Sequence, residues 1–136
     1  MTPPTREMTE RDRNFVAPTW IKSARYGFAT PRDERISYRI VNALLAQAPR
    51  VLCIATDERT VHAWAAGHGD VLHFVYVAPE LRRQGFARML LQQMFGERGP
   101  ALLSHDAPKR LAPRAQFNPY LVAGSLCDRI ADREAA

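Results

Sequence analysis

Apolar and polar positions change period midway along this chain, and the change separates a strand from a helix. From Val71 to Val77 the run Val-Leu-His-Phe-Val-Tyr-Val is apolar, β-branched and aromatic with no turn former, and Pro79 closes it. The pattern predicts a buried strand. From Arg82 onward Phe86, Ala87, Leu90, Leu91, Met94 and Phe95 recur at three-and-four spacing, while Arg88, Gln92 and Gln93 fall on the other side. That period predicts an amphipathic helix, ended by Gly96, Gly99 and Pro100.

The same reading extends both ways. Residues 1–14 are polar and charged, which predicts a frayed start holding at most a short strand around Thr5 to Met8. A helix is expected from Asn14 or Thr19, with Phe15, Trp20, Ile21 and Ala24 on one side, ending at Gly27 and Pro31. A second is expected from Asp33 to Ala48, with Ile36, Tyr38, Ile40, Val41, Leu44 and Leu45 apolar and Pro49 stopping it. Tyr38, Arg39 and Asn42 are candidates to face a substrate, against the plainer reading of packing or solvated surface. Val51 to Thr56 and Val61 to His68 read as strands joined by a turn at Asp57 to Thr60, and Gly69-Asp70 turns into the central strand, giving an antiparallel meander. The helix after the central strand permits a crossover to Ala101 to His105, parallel to it. Beyond lie Asp106 to Gln116, with Pro108 and Pro113 and at most a short helix, Phe117 to Val122 as a short strand or turn, and residues 128–136 as a frayed end.

Between the central strand and its helix stands Arg82-Arg83-Gln84-Gly85-Phe86-Ala87, basic and with small residues at two positions. A helix start has free N–H groups and a positive dipole end, so small residues there let an anion approach the main chain. Flanking arginines add charge-assisted bonds. The alternative is a plain turn with solvated arginines; strand, proline, double arginine and amphipathic helix in that order favour the anion cradle.

This stretch resembles the acetyl-coenzyme A signature of the GNAT acyltransferase superfamily, Arg/Gln-x-x-Gly-x-Gly/Ala, filled by Arg82, Gly85 and Ala87, with Val77-Ala78-Pro79 as the usual strand end. It is neither a Walker loop, since no Gly-Lys-Ser/Thr follows, nor a dinucleotide fingerprint, since the spacing differs. A narrower likeness to small phage-encoded members lies in Trp20-x-x-Ser23-x-Arg25, His73 to Val77 and Asn118-Pro119-Tyr120. The resemblance implies an α/β fold, with a mixed, mostly antiparallel central sheet flanked by helices and a shortened C-terminal part. It implies an acetyl-CoA-dependent N-acyltransferase working by direct transfer. The pyrophosphate would sit on turn amides and the pantetheine arm on the strand edge, so the implied binding set is Val75, Val77, Arg82, Arg83, Gln84, Gly85, Phe86, Ala87 and Arg88.

Composition adds bounds. A chain of 136 residues with 46% hydrophobic and 24% charged residues reads as one domain with a real core. No apolar run reaches membrane-spanning length, and the start lacks a signal-peptide core, so no membrane partner and a cytoplasmic location are expected. Cys53 and Cys127 lack metal or redox spacing and are expected reduced, with Cys53 buried. His62 and His68, on one strand, stand roughly 20 Å apart, too far to share a metal, and no metal is expected. The net charge of +5 has its whole excess between Arg82 and Arg114, where seven basic residues oppose Glu97 and Asp106. A polyphosphate ligand accounts for it, and so does nucleic acid.

Acyl transfer needs a neutral nucleophile, an oxyanion site and a proton for the departing thiolate. Some relatives use a carboxylate early in the central strand; counting back from Arg82 places Val71 there, and neighbouring Asp70 reads as turn. Others use a histidine on the fifth strand acting through water, which points to His105 as base, beside Ser104, which could hold a water or substrate. The acid is usually tyrosine: Tyr120 is preferred over Tyr76, which alternates with Val75 and Val77 and so points to the opposite face. His73 reads as a hydrogen-bonded core residue. The acceptor stays open between a small-molecule, a protein and a nucleobase amine, as does oligomeric state. Two other classes compete: a nucleic-acid-binding or DNA-modifying protein of the same fold, gripping phosphates with Arg98, Lys109, Arg110 and Arg114, and a catalytically idle coenzyme-binding module.

Overall fold

The computed structural model describes residues 4–23, 34–57, 60–104 and 111–118. In chain order these form β1 (Thr5–Glu7), α1 (Glu10–Ser23), α2 (Glu34–Ala46), β2 (Arg50–Ala55), β3 (Val61–His68), β4 (Val71–Val77), α3 (Phe86–Phe95), β5 (Leu102–Leu103) and β6 (Gln116–Phe117). The strands make one sheet in the order β1-β2-β3-β4-β5-β6. The first four run antiparallel, and β5 and then β6 pair parallel to their neighbours. This is an α/β fold with a mixed, mostly antiparallel sheet flanked by helices, as the element order predicts. Among the described residues no helix is long and apolar enough to cross a membrane.

Each face of the sheet has its own core. On one, Val16 and Trp20 of α1 and Ile40, Val41 and Leu44 of α2 pack on Val51, Cys53 and Trp64, with Phe74 and Tyr76 at the margin. Trp20 and Trp64 lie with ring centroids 5.4 Å apart. On the other, Leu90 and Leu91 of α3 pack on Leu52, Ile54, Ala63, Ala65 and Leu72, joined by Val75 and Val77. Period-2 alternation along β4 produces the division, placing Tyr76 opposite Val75 and Val77.

Thr5–Glu7 pairs with β2, within the Thr5 to Met8 stretch where a short strand is expected. The difference from the expected frayed start is that α1 begins at Glu10 rather than at Asn14 or Thr19. Thr9 and Asp12 explain it. The Asp12 amide donates to Thr9 Oγ1 (3.2 Å) and the Thr9 amide to Asp12 Oδ2 (3.0 Å), a capping box with aspartate in the third helical position. Arg6 Nη2 reaches Asp12 Oδ1 at 2.7 Å and ties the strand to the helix. Pro18 sits inside α1 without ending it. Nearby, Thr19 Oγ1 donates to the Phe15 carbonyl (2.8 Å) and accepts from Trp64 Nε1 (3.0 Å).

Strand β4 carries the feature that shapes the site. Leu72 stands opposite Gly67 and Phe74 opposite Ala66, so His73 is an extra residue in the ladder, a bulge. Gly67 is required there: a Cβ would lie 2.5 Å from the Val71 carbonyl oxygen and 2.9 Å from Phe95 Cζ. An isolated glycine inside a strand pattern is the sequence signal of such a bulge. Among the described residues β5 pairs with β4 at Val71↔Leu102 and Leu72↔Leu103, and His105 lies outside them.

Candidate active site

A cleft of about 790 Å³ opens along the C-terminal half of β4, lined by Phe74 to Val77, by Leu81, Arg82, Arg83 and Gly85 to Arg88 of the turn and helix start, and by Ser23 and Leu111. Its size suits a small-molecule site. The Ala78 amide donates to the His62 carbonyl at 2.9 Å, so Ala78 faces β3 and alternation turns the main-chain groups of Val77 and Val75 toward the open edge. One of these groups is already engaged: Arg82 Nε donates to the Val77 carbonyl at 3.0 Å.

The turn itself follows from its residues. Pro79–Leu81 forms one 3-10 turn, Arg83 adopts φ 67° and Gly85 φ 84°, and α3 starts only at Phe86. Glycine enters the left-handed region without a Cβ penalty, whereas Arg83 does so at a cost of order 1–3 kcal/mol. The ladder of α3 opens with the Met89 amide on the Gly85 carbonyl, which leaves the amides of Phe86, Ala87 and Arg88 without intrahelical acceptors. No side chain caps this helix start among the described residues. The space where a Gly85 Cβ would project is open to 4 Å. Arg82, Arg83, Gln84 and Arg88 are exposed around it. Free amides, a positive helix end and three arginines on one concave surface suit a diphosphate, and the residues present fit coenzyme A.

A profile of the Acetyltransferase (GNAT) family matches residues 19–100, more than half of the chain. The chain belongs to that family. Among solved structures, this GNAT chain is similar to a GCN5-related N-acetyltransferase from Rhodopseudomonas palustris, with 14% identity and a TM-score of 0.49, over 69% of this chain and 64% of that one. It is also similar to a GNAT superfamily phosphinothricin acetyltransferase from Sinorhizobium meliloti in complex with AcCoA, with 16% identity and a TM-score of 0.48, over 71% of this chain and 59% of that one. The GNAT chain thus spans less than two thirds of the length of either structure. No curated protein matches its sequence at a significant level. Nothing in these matches bears on the narrower phage-type likeness.

The cofactor residues inferred from the sequence fall together: Val75, Val77, Arg82, Arg83, Gly85, Phe86, Ala87 and Arg88 all line the cleft, and Gln84 is exposed in the turn between them. His105 and Tyr120, the base and acid inferred from the resemblance, lie outside the described residues, as do Cys127, Lys109 and Arg110. Tyr76 lines the cleft from the α1 side, its ring edge-on to Phe15 at 6.1 Å. Tyr38 is 60% exposed on α2, and the Asn42 amide turns back to the Tyr38 carbonyl at 2.8 Å. Asp70 is held by Arg114, whose Nη2 lies 2.9 Å from Asp70 Oδ1 and 2.7 Å from the Gly99 carbonyl. Arg114 is one of the phosphate contacts of the competing nucleic-acid reading; its bond to Asp70 depends on a long-range return of the chain that no local pattern encodes. Among the described residues no cluster of three metal-ligating side chains occurs.

Proposed function

We propose that this protein transfers an acetyl group from acetyl-CoA to an amine by direct attack within a ternary complex. One observation carries the reading: a β4 edge that no described strand pairs beyond Leu72 leads into a left-handed turn at the start of α3 that no described side chain caps, with Arg82, Arg83 and Arg88 around it. The amides of Phe86, Ala87 and Arg88 would hold the diphosphate, and Val75 and Val77 the pantetheine arm. The acceptor is an amine on a small molecule, a protein or a nucleobase, with His105 as base through water and Tyr120 as acid. Bound acetyl-CoA supplies an activated acyl group, so the protein's part is to position it and to move protons. A nucleic-acid grip through Arg114 is disfavoured by that side chain's bonds to Asp70 and Gly99. Free, buried Cys53 fits a reducing compartment, and this reading assigns the protein to the cytosol.

Calorimetric titration with acetyl-CoA tests it. Wild type should bind at micromolar or tighter Kd, and Gly85→Glu, which puts a carboxylate into the open space at φ 84°, should weaken binding at least tenfold, about 1.4 kcal/mol. Equal affinity in both proteins, or no binding by wild type, overturns the reading.

A further inference from the structure

Arg82 stands in the place assigned to the pantetheine arm. Its Nε–H donates to the Val77 carbonyl oxygen at 3.0 Å. The Ala78 amide is turned toward β3, where it donates to the His62 carbonyl at 2.9 Å, so the Val77 carbonyl looks out over the open edge of β4. A chain laid along that edge as a further strand would bring its own N–H groups to about 2.9 Å from the same oxygens. Arg82 Nε holds that position at Val77. A carbonyl oxygen has two lone pairs, but the planar guanidinium takes up room on the edge itself, so bond and bulk act in the same direction.

The contact follows from the turn. Pro79 closes the strand and opens one 3-10 turn, in which the Leu81 amide donates to the Ala78 carbonyl at 2.8 Å. The chain is thereby folded back, and Arg82 returns alongside Val77 so that both line the cleft. Arg82 is exposed, so the need to satisfy a buried donor does not hold its side chain there. A phosphate offers a guanidinium a charged partner and a bidentate fit, which a single carbonyl does not. The helix start suited to a diphosphate, at Phe86 to Arg88, lines the same cleft.

We propose that Arg82 is a latch on the pantetheine edge: it covers the Val77 carbonyl until a diphosphate seated on the turn draws it off and opens that carbonyl to an N–H of the arm. This inference rests on the acetyl-transfer reading, and it gives Arg82 a positioning role between two parts of the cofactor site in addition to its charge. The two states differ in what Arg82 bonds, carbonyl or phosphate. That difference is the free energy through which the cofactor's phosphates favour the seating of its arm. A pantetheine without phosphates has to displace the guanidinium with nothing to receive it, so the latch selects intact coenzyme over its arm alone.

S-Acetylpantetheine, which has the arm and no phosphate, and inorganic pyrophosphate, which has the phosphates and no arm, test this on wild type, Arg82→Ala and Arg83→Ala. In NMR titrations, saturating pyrophosphate should tighten acetylpantetheine binding to wild type by about threefold or more. Arg82→Ala should bind acetylpantetheine alone about threefold tighter than wild type, and pyrophosphate should change that affinity little. Arg83→Ala removes the same charge from the next position; it should bind pyrophosphate more weakly yet keep the wild-type coupling within about twofold. In wild type, the Arg82 Nε–H resonance should show a coupling across the hydrogen bond to the Val77 carbonyl carbon and lose it when pyrophosphate is added. An Arg82→Ala that binds acetylpantetheine no tighter than wild type, or a Val77 coupling that is missing at the outset or persists with pyrophosphate bound, overturns the latch and leaves the acetyl-transfer reading standing. A wild type that does not bind acetyl-CoA overturns both.

Discussion

Cys53 shows how far the surroundings of one residue decide its chemistry. It is fully buried on β2, and burial foremost, with Asp12 adding to it, pushes its thiol up to about 12. A thiolate is the reactive form, so native Cys53 should be inert. In a Cys127→Ser background, Ellman's reagent at pH 8 should label less than a tenth of the protein within an hour and all of it in urea; rapid native labelling would contradict the burial. His73 obeys the same physics with the opposite sign, since its charged form is the cation. The sequence suggested both residues were interior, because each lies in an apolar run. Their partners were hidden: Ser104 meets His73 only through a parallel crossover whose register no local pattern specifies.

Among the elements, α1 depends most on a few polar atoms. Burial alone would raise the Asp12 carboxyl; the bond from Arg6 and two bonds with Thr9 outweigh it, so the carboxyl ends below its usual range. A depressed carboxylate stabilises the fold above its unfolded pKa, about 4, and that stability is lost as pH falls through the lower folded value. Asp12→Ala should therefore cost about 1–2 kcal/mol at pH 7 through loss of the cap, and the gap from wild type should close below pH 4. Urea denaturation at the two pH values measures both, and a gap that persists in acid would place the effect elsewhere. The Thr9-x-x-Asp12 signal was present in the sequence, but it lay in a stretch whose polarity read as fraying. Pairing of Thr5–Glu7 with β2 brings Arg6 to Asp12 and gives the cap its ionic partner.

Across the whole molecule, the described arginines of the basic excess after β4 are used in different ways. Arg82, Arg83 and Arg88 surround the cleft, whereas Arg114 closes the return of the chain by joining Asp70, Gly99 and the Arg98 carbonyl. Arg114→Ala should accordingly lower stability by about 1 kcal/mol, the scale of a partly exposed ion pair with backbone bonds. It should leave the acetyl-CoA Kd within twofold. A large loss of affinity with unchanged stability would return Arg114 to the ligand. Sequence charge counting located the excess but could not apportion it, because like residues in one segment differ only in what the fold sets opposite them.

Period and punctuation in the chain determined the helices, the meander, the strand that leads into the phosphate-type turn, and the positions of Arg82, Gly85 and Ala87 at that turn. These are local properties: side-chain alternation, a proline, and a glycine able to take φ 84°. Tertiary structure alone decided which residue of β4 bulges opposite Gly67, the register of β4 with β5 and the line of hydrogen bonds from Ser104 through His73 and His68 to Gln47. Each joins residues distant in the chain or depends on strand register, and register is set by how two faces of a sheet bury their side chains together, which neighbouring residues do not specify.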